Sequence, residues 1–265
     1  MPILQVNNTS IWYESHGEGP ETIVFSHGLL WSGEMFHYQA AYFKDRYRII
    51  TFDHRGQGKT PGKAPYDMDT LSADAIALIE TLCDRPVHFA GLSMGGFVGM
   101  RIAARRPDLI KSLILLETSA AGEAIENIPK YGMLNLIVRF LGIGPVVPAI
   151  KKIMFGTSFL NDPAKQEELS YWEGVLSNNY PKTITKAVEG VIFRKPILPE
   201  LHRIQCPTLI LTGEEDVATP IFKGEQIQKH IKGSSFVRIP KAGHSSSIEA
   251  PEAVNGAIEL FLQGL

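Results

Sequence analysis

Short apolar runs recur along this chain, and each is closed by a turn-forming residue and followed by a stretch of helical length. The runs are Thr22 to Phe25, Tyr47 to Phe52, Val87 to Ala90, Ser112 to Leu116, Thr208 to Thr212 and Ser235 to Ile239. Short runs ending at Gly, Pro, Asp or similar residues predict buried strands. Ser72 to Cys83, Met94 to Arg106, Phe222 to His230 and Pro251 to Leu262 predict helices, with Pro107 ending the second. Strands that alternate with helices imply a mostly parallel sheet covered on both faces, an α/β fold. Leu4 to Val6 and Ile11 to Glu14, separated by Asn7-Asn8, predict a hairpin at one edge of that sheet. A chain of 265 residues, 44% of them hydrophobic, is long enough for one large α/β domain or a domain with a small insertion.

The alternation fails between about Thr118 and Leu201. Helical patterns over Tyr131 to Leu141, Val146 to Met154, Pro163 to Leu176 and Pro181 to Phe193 replace it. This predicts a helical cap, residues 119–201, inserted into a core made of residues 1–118 and 202–265; the alternative is that these helices merely complete the core. The apolar residues of the cap could roof a pocket, with Met133, Ile137 and Phe140 as its expected lining. Met133 to Ile150 is the most apolar segment, but Asn135, Arg139, Gly142, Gly144, Pro145 and Pro148 interrupt it. It predicts an amphipathic or loop-broken helix and no membrane span.

Gly91-Leu92-Ser93-Met94-Gly95 lies between a predicted strand and a predicted helix, the setting of a nucleophile elbow. A sharp strand-to-helix turn strains the serine backbone, and glycines two residues before and after it remove side chains that would collide. The hydroxyl then projects above the sheet, beside a helix N-terminus that favours negative charge. Two Gly and one Ser at fixed spacing also arise by chance, so the pentapeptide alone could be a tight turn without chemistry.

A serine hydroxyl needs a base, and among unperturbed side chains only histidine titrates near neutrality. Of the eight histidines, His244 in Gly243-His244-Ser245 directly follows the last predicted strand. Asp216 follows the strand Thr208 to Thr212 and would orient the imidazole. The order Ser93, Asp216, His244 is the one an elbow of this kind requires. Glu214 and Glu215 are rivals beside Asp216, and Glu117, at the end of another strand, is a third. Acyl transfer also needs donors for a developing oxyanion. The backbone N–H groups of Met94 and Leu29 are the candidates, with His27 bracing the second loop and Trp31 lining the pocket or packing under the cap. Asp53 to Thr60 is glycine-rich but lacks phosphate-loop spacing, so it predicts a structural turn pinned by Asp53 or Arg55.

Together, His27-Gly28, Asp53-x-Arg55-Gly56-x-Gly58, Gly91-x-Ser93-x-Gly95-Gly96, Pro207, Gly213-x-x-Asp216 and Gly243-His244 resemble the α/β-hydrolase superfamily across nearly the whole chain. The elbow is similar to that of 3-oxoadipate-type enol-lactonases, small carboxylesterases and cofactor-free haloperoxidases. Haloalkane dehalogenases and epoxide hydrolases carry aspartate where this chain has Ser93. The resemblance implies an α/β-hydrolase fold and hydrolysis of a small or medium, largely apolar ester or lactone. It leaves open a perhydrolase, and a small-molecule receptor or signalling protein that retains the triad. A lactonase acting on a free carboxylate would want a pocket cation, for which Arg194 or Lys195 could serve.

No cofactor or metal is expected. Cys83 and Cys206 lack a ligand spacing and predict two buried thiols in a reducing cytoplasm. A formal net charge of −2 argues against a nucleic-acid partner. Met1 to Ser10 lacks the basic start and apolar centre of a signal peptide. A cytoplasmic protein without a membrane partner is therefore expected, and the oligomeric state is left open.

Overall fold

A computed structural model describes residues 2–62 and 66–265. Its sheet has eight strands: β1 (Ile3–Val6), β2 (Thr9–His16), β3 (Thr22–Ser26), β4 (Arg48–Phe52), β5 (Val87–Leu92), β6 (Ile110–Leu116), β7 (Thr208–Gly213) and β8 (Ser235–Ile239). Their order is β1-β2-β4-β3-β5-β6-β7-β8. The β1–β2 hairpin joins antiparallel through β2 to β4, and every later pairing is parallel. The expected α/β-hydrolase architecture, a mostly parallel sheet with an antiparallel edge, is the observed one. Strands β5 and β7 are buried along their whole length, which explains why they read as continuous apolar runs without alternation.

Helices α1 (His37–Phe43), α2 (Met68–Leu82) and α3 (Met94–Arg105) fall between the early strands. Sequence periodicity starts α2 four residues too late, because the helix start is set by the Asp67 cap and not by the apolar period. The Asp67 carboxylate accepts the Thr70 N–H at 2.8 Å, which moves the helix start to Met68. Between β6 and β7 run α4 (Ile128–Leu141), α5 (Val147–Met154), α6 (Thr157–Asn161), α7 (Gln166–Ser177) and α8 (Pro181–Ile192), with no strand among the described residues. The short α6 has no counterpart in the periodicity. Helices α9 (Ile221–His230), α10 (Ser246–Glu249) and α11 (Pro251–Gln263) complete the chain. Helix α1 packs on α10 and α11 and α2 packs on α3, as two helical layers on the sheet.

Topology decides where chemistry can occur. From β3 the chain steps to β4 on one side, and β5 then adds on the other side of β3. The loops leaving the carboxyl ends of β3 and β5 are therefore neighbours, with Ser26 in register with Gly91. Such a switch point opens a crevice at the strand ends. Loops after β7 and β8 emerge at the same edge.

Helices α4 to α8 sit over this edge and are tied to it by an aromatic cluster. Trp31, after β3, meets Trp172 of α7 at 5.5 Å between ring centroids and Phe155 at 5.8 Å, both edge-on. Asn179 donates to the Leu30 carbonyl at 2.9 Å, and Glu215 accepts from the Ser158 N–H at 2.7 Å and hydroxyl at 2.5 Å. Both cysteines are free and half-buried, less enclosed than expected, because Cys83 follows the end of α2 and Cys206 lies in the connection before β7. No helix among the described residues is long and apolar enough to cross a membrane.

Trp172 is almost wholly buried, at 1% exposure. Truncation to alanine leaves a hole that packed neighbours fill only partly, so Trp172→Ala is expected to lower unfolding free energy by about 3–5 kcal/mol. Urea titration of both proteins measures this; a loss below about 1 kcal/mol would show that the cluster collapses around the gap.

Candidate active site

Ser93 occupies the turn between β5 and α3 with φ 51° and ψ −109°, a left-handed conformation costly for any side chain but glycine. The neighbours make that conformation possible. A Cβ at Gly95 would lie 1.9 Å from the Ser26 carbonyl oxygen, and one at Gly91 would lie 2.3 Å from that of Gly95. Strand β6 and the residues after it pin the turn. The Ser93 N–H donates to the Leu116 carbonyl at 2.9 Å, and the Thr118 hydroxyl donates to the Ser93 carbonyl at 2.8 Å.

Three side chains from separate strand ends meet here. Ser93 Oγ lies 2.9 Å from His244 Nε2, and His244 Nδ1 lies 2.9 Å from Asp216 Oδ2. Asp216 Oδ1 accepts the N–H groups of Ala218 and Thr219 at 2.8 and 2.9 Å, and the Thr219 hydroxyl donates to Oδ2 at 2.7 Å. Burial opposes ionisation of Asp216, but the imidazole, the Thr219 hydroxyl and the Thr219 amide outweigh it and hold the carboxyl below its usual range. An ionised Asp216 accepts a hydrogen bond from Nδ1–H, which fixes the proton on Nδ1 and leaves the Nε2 lone pair facing the serine hydroxyl. This arrangement can remove a proton from Ser93 and return it to a leaving group.

The rival acids do other work. Glu117 Oε1 accepts the Gly213 N–H at 3.1 Å, and burial and the nearby Asp216 push its carboxyl well above the ordinary range. Glu215 holds Ser158, as above, and Asp216 alone of these acids bonds the imidazole. His27 braces the loop after β3 as expected: its Nε2 accepts the His54 N–H at 2.9 Å while Nδ1 donates to the Gly28 carbonyl at 2.7 Å. Asp53 accepts the N–H groups of Gly33 and Lys59, each at 2.8 Å, and Arg55 pairs with Asp74 at 2.5 Å. The Asp53 to Thr60 segment is thus a pinned turn.

Gln57, within that turn, has a role the sequence did not reveal. Its Oε1 accepts the Leu30 N–H at 2.8 Å, and its Nε2 lies 3.6 Å from Met94 Sδ. One side chain therefore braces both loops that carry the candidate oxyanion donors, Leu29 and Met94. The Leu30 backbone, at φ 72°, is held out of its favoured region by this bond.

Above Ser93 lies an apolar cavity of about 140 Å³. Leu29, Trp31, Phe97, Leu134, Val138 and Ile150 are among its lining, with Ser93, His244 and Thr219 at one end. Of the residues expected to line it, Trp31 does. Met133 and Phe140 do not: they are 61% and 76% exposed, on the outer side of α4. Ile137 is half-buried against the core and outside the lining. The helical period explains the correction, since the inward face of α4 carries Tyr131, Leu134, Asn135 and Val138 in place of 133, 137 and 140. Of the two candidate cations, Lys195 is exposed and away from the cavity. Arg194 lines it, but its guanidinium is paired with Glu123 at 3.0 Å and stacked 4.3 Å from the Phe97 ring.

Glu249 is a second residue that sequence inspection missed. It sits behind His244 and accepts three backbone N–H groups: Gly243 at 2.9 Å, Ser245 at 3.0 Å and Gly156 at 2.8 Å. It thereby fixes both flanks of the histidine and the chain segment leading into α6. Its place five residues beyond His244, ahead of a proline-started helix, was the only available signal. Burial raises its pKa from 4.5 to about 7, against the pull of the three amides. Between those values the folded protein keeps a proton that the unfolded chain has released, so the contribution of this group to stability is complete below pH 4.5 and lost as pH rises through 7. The stability of the protein relative to Glu249→Gln is expected to fall by on the order of 3 kcal/mol across that interval. Denaturant titrations of both proteins at stepped pH measure this, and a flat difference would refute it.

Residues 21–251 match the family described as alpha/beta hydrolase fold. The chain is 30% identical over 265 residues to a 3-oxoadipate enol-lactonase of Acinetobacter baylyi, covering 98% of this chain and 96% of that one. It is 29% identical over 256 residues to a Mycobacterium tuberculosis protein that bears a non-heme bromoperoxidase name, covering 94% and 96%. The crystal structure of the enol-lactonase from Burkholderia xenovorans superposes with a TM-score of 0.92 at 26% identity, covering 99% of this chain and 100% of that one. The elbow, the strand order and the family match agree, and the chain belongs to the alpha/beta hydrolase family.

Proposed function

We propose that this protein is a serine hydrolase that cleaves a small or medium, largely apolar carboxylic ester or lactone through an acyl-enzyme. The observation that carries this reading is the hydrogen-bonded line Asp216–His244–Ser93 ending at the floor of an apolar cavity. In the first step Ser93 Oγ attacks the carbonyl carbon and its proton passes to His244 Nε2. The N–H groups of Leu29 and Met94 hold the oxygen that becomes negative. His244 then gives the proton to the departing oxygen as the carbon–oxygen bond breaks; in a lactone that oxygen stays tethered to the acyl group. Water, deprotonated by His244, attacks the acyl carbon and releases the acid, and Ser93 regains its proton.

The cavity supports this substrate class. Its volume is comparable with the roughly 150 Å³ of a cavity that takes up benzene. Arg194 is its one lysine or arginine among the described lining residues, and Glu123 already neutralises it. An uncharged acyl group fits this balance better than one bearing a free carboxylate. A panel of esters and lactones of graded acyl size, read by acid release, tests the point. Faster turnover of carboxylate-bearing lactones than of neutral ones would reverse the preference.

A burst of p-nitrophenol from a short-chain ester is expected, followed by slower steady release. Ser93→Ala should abolish the burst and lower kcat by at least about 10³-fold. Equal turnover by both proteins would refute the mechanism. Gln57→Leu frees both candidate oxyanion loops and should lower kcat about tenfold with less change in KM, since oxyanion donors act mainly in the transition state. A variant altered only in KM would remove Gln57 from the mechanism.

The relative bearing a bromoperoxidase name supports a second reading, in which peroxide replaces water in the deacylation step and a peracid leaves. Peracid formation from acetate and hydrogen peroxide, lost in Ser93→Ala, separates it from simple hydrolysis.

A further inference from the structure

Helix α4 is apolar on both sides. Its inner face lines the cavity over Ser93, while Met133, Leu136, Phe140 and Leu141 on its outer side are 61, 51, 76 and 71% exposed. A surface helix ordinarily turns a polar face to water. Here, from Pro129 to Lys152, every exposed residue is apolar, glycine or basic. Residues 127–161 contain no Asp or Glu, although the whole chain carries a net charge of −2. Nothing else in the described fold covers this side: a Cβ added at Gly132, Gly142 or Gly144 would meet no atom within 4 Å.

The charges on this face are uncompensated. Lys151 pairs with Glu173 of α7, but no carboxylate pairs with Lys130, Arg139 or Lys152 among the described residues. We propose that the outer face of α4 and α5 docks on an anionic lipid surface. Exposed Leu, Met and Phe set among lysine and arginine form the pattern that lies in a membrane interface, apolar groups entering the acyl boundary and cations meeting acidic headgroups. A second copy of the chain is the poorer occupant. An isologous contact would press the basic set Lys130, Arg139 and Lys152 of one copy against the face bearing the same set in the other, and residues 127–161 supply no acid to pair with them. The arrangement would set the cavity roof directly on the lipid phase, on the far side of α4 from Ser93. The inference goes beyond the proposed hydrolysis and is independent of it, since docking is read without turnover.

Co-sedimentation with vesicles tests it. The protein is expected to bind vesicles of phosphatidylcholine with about one third phosphatidylglycerol, to bind pure phosphatidylcholine far less, and to be released by high salt. Lys130→Ala with Arg139→Ala should weaken partitioning roughly 25-fold, about fivefold for each cation lost. Leu136→Ser with Phe140→Asp should abolish it. Neither pair lines the cavity and all four side chains are exposed, so the thermal unfolding midpoint should be nearly unchanged in both variants, which certifies their folding. Failure to bind the acidic vesicles would overturn the proposal, as would equal binding to both compositions. Self-association of the protein that Phe140→Asp disrupts, in the absence of vesicle binding, would assign the face to a contact between copies.

Discussion

The site rests on the backbone of Ser93. Its left-handed turn is unfavourable for a serine and persists because neighbouring groups over-determine it: the Leu116 carbonyl takes its N–H, the Thr118 hydroxyl bonds its carbonyl, and glycines stand where any side chain would strike Ser26 or Gly95. The turn aims the hydroxyl at His244 and starts α3 at Met94, the candidate donor. Because the strain is held by β6 and by the loop after β3, the conformation of Ser93 depends on the central sheet being assembled. Placing Ser93 at the switch between β3 and β5 brings the second candidate donor loop beside it without any long-range reach.

A second constraint is the handling of buried charge. Asp216, Glu117 and Glu249 lie close enough to influence one another in a site with little water. Asp216 is the one given the most donors in combination with the imidazole, and it is the one held ionised. Glu117, with a single amide donor, is pushed well above the usual carboxyl range by burial and by the field of Asp216. Glu249, with three amide donors, lies between these limits. Burial and hydrogen bonding together therefore separate three similar carboxyls: one lowered beside the imidazole, one raised at the end of β6, and one bracing the histidine loop.

The elements that carry this machinery differ in how visible they are in sequence. Strands β5, β6 and β7 were legible because parallel strands buried on both faces must be largely apolar, whereas the edge strand β8 showed only a short apolar run between turns. The elbow was legible because a sharp turn at a side-chain-bearing residue demands glycine nearby. The start of α2 was not, since one capping carboxylate outweighed the apolar period. Gln57 and Glu249 left almost no trace: each works through backbone amides remote in sequence, and a polar residue in a turn or ahead of a helix is common for many reasons. Helix α4 shows the opposite failure. Its apolar content was evident, but with both sides apolar the pattern could not say which side faces the cavity, and Met133 and Phe140 proved to face water.

Sequence alone thus determined the fold class, the position of the strained serine and the order of its partners, because those follow from local backbone sterics and from the period of apolar residues. Tertiary structure decided which carboxyl reaches the imidazole, which residues brace the donor loops, that Arg194 is already neutralised by Glu123, and which face of α4 closes the cavity. Each of these depends on distances between segments far apart in the chain, and no local spacing records such distances.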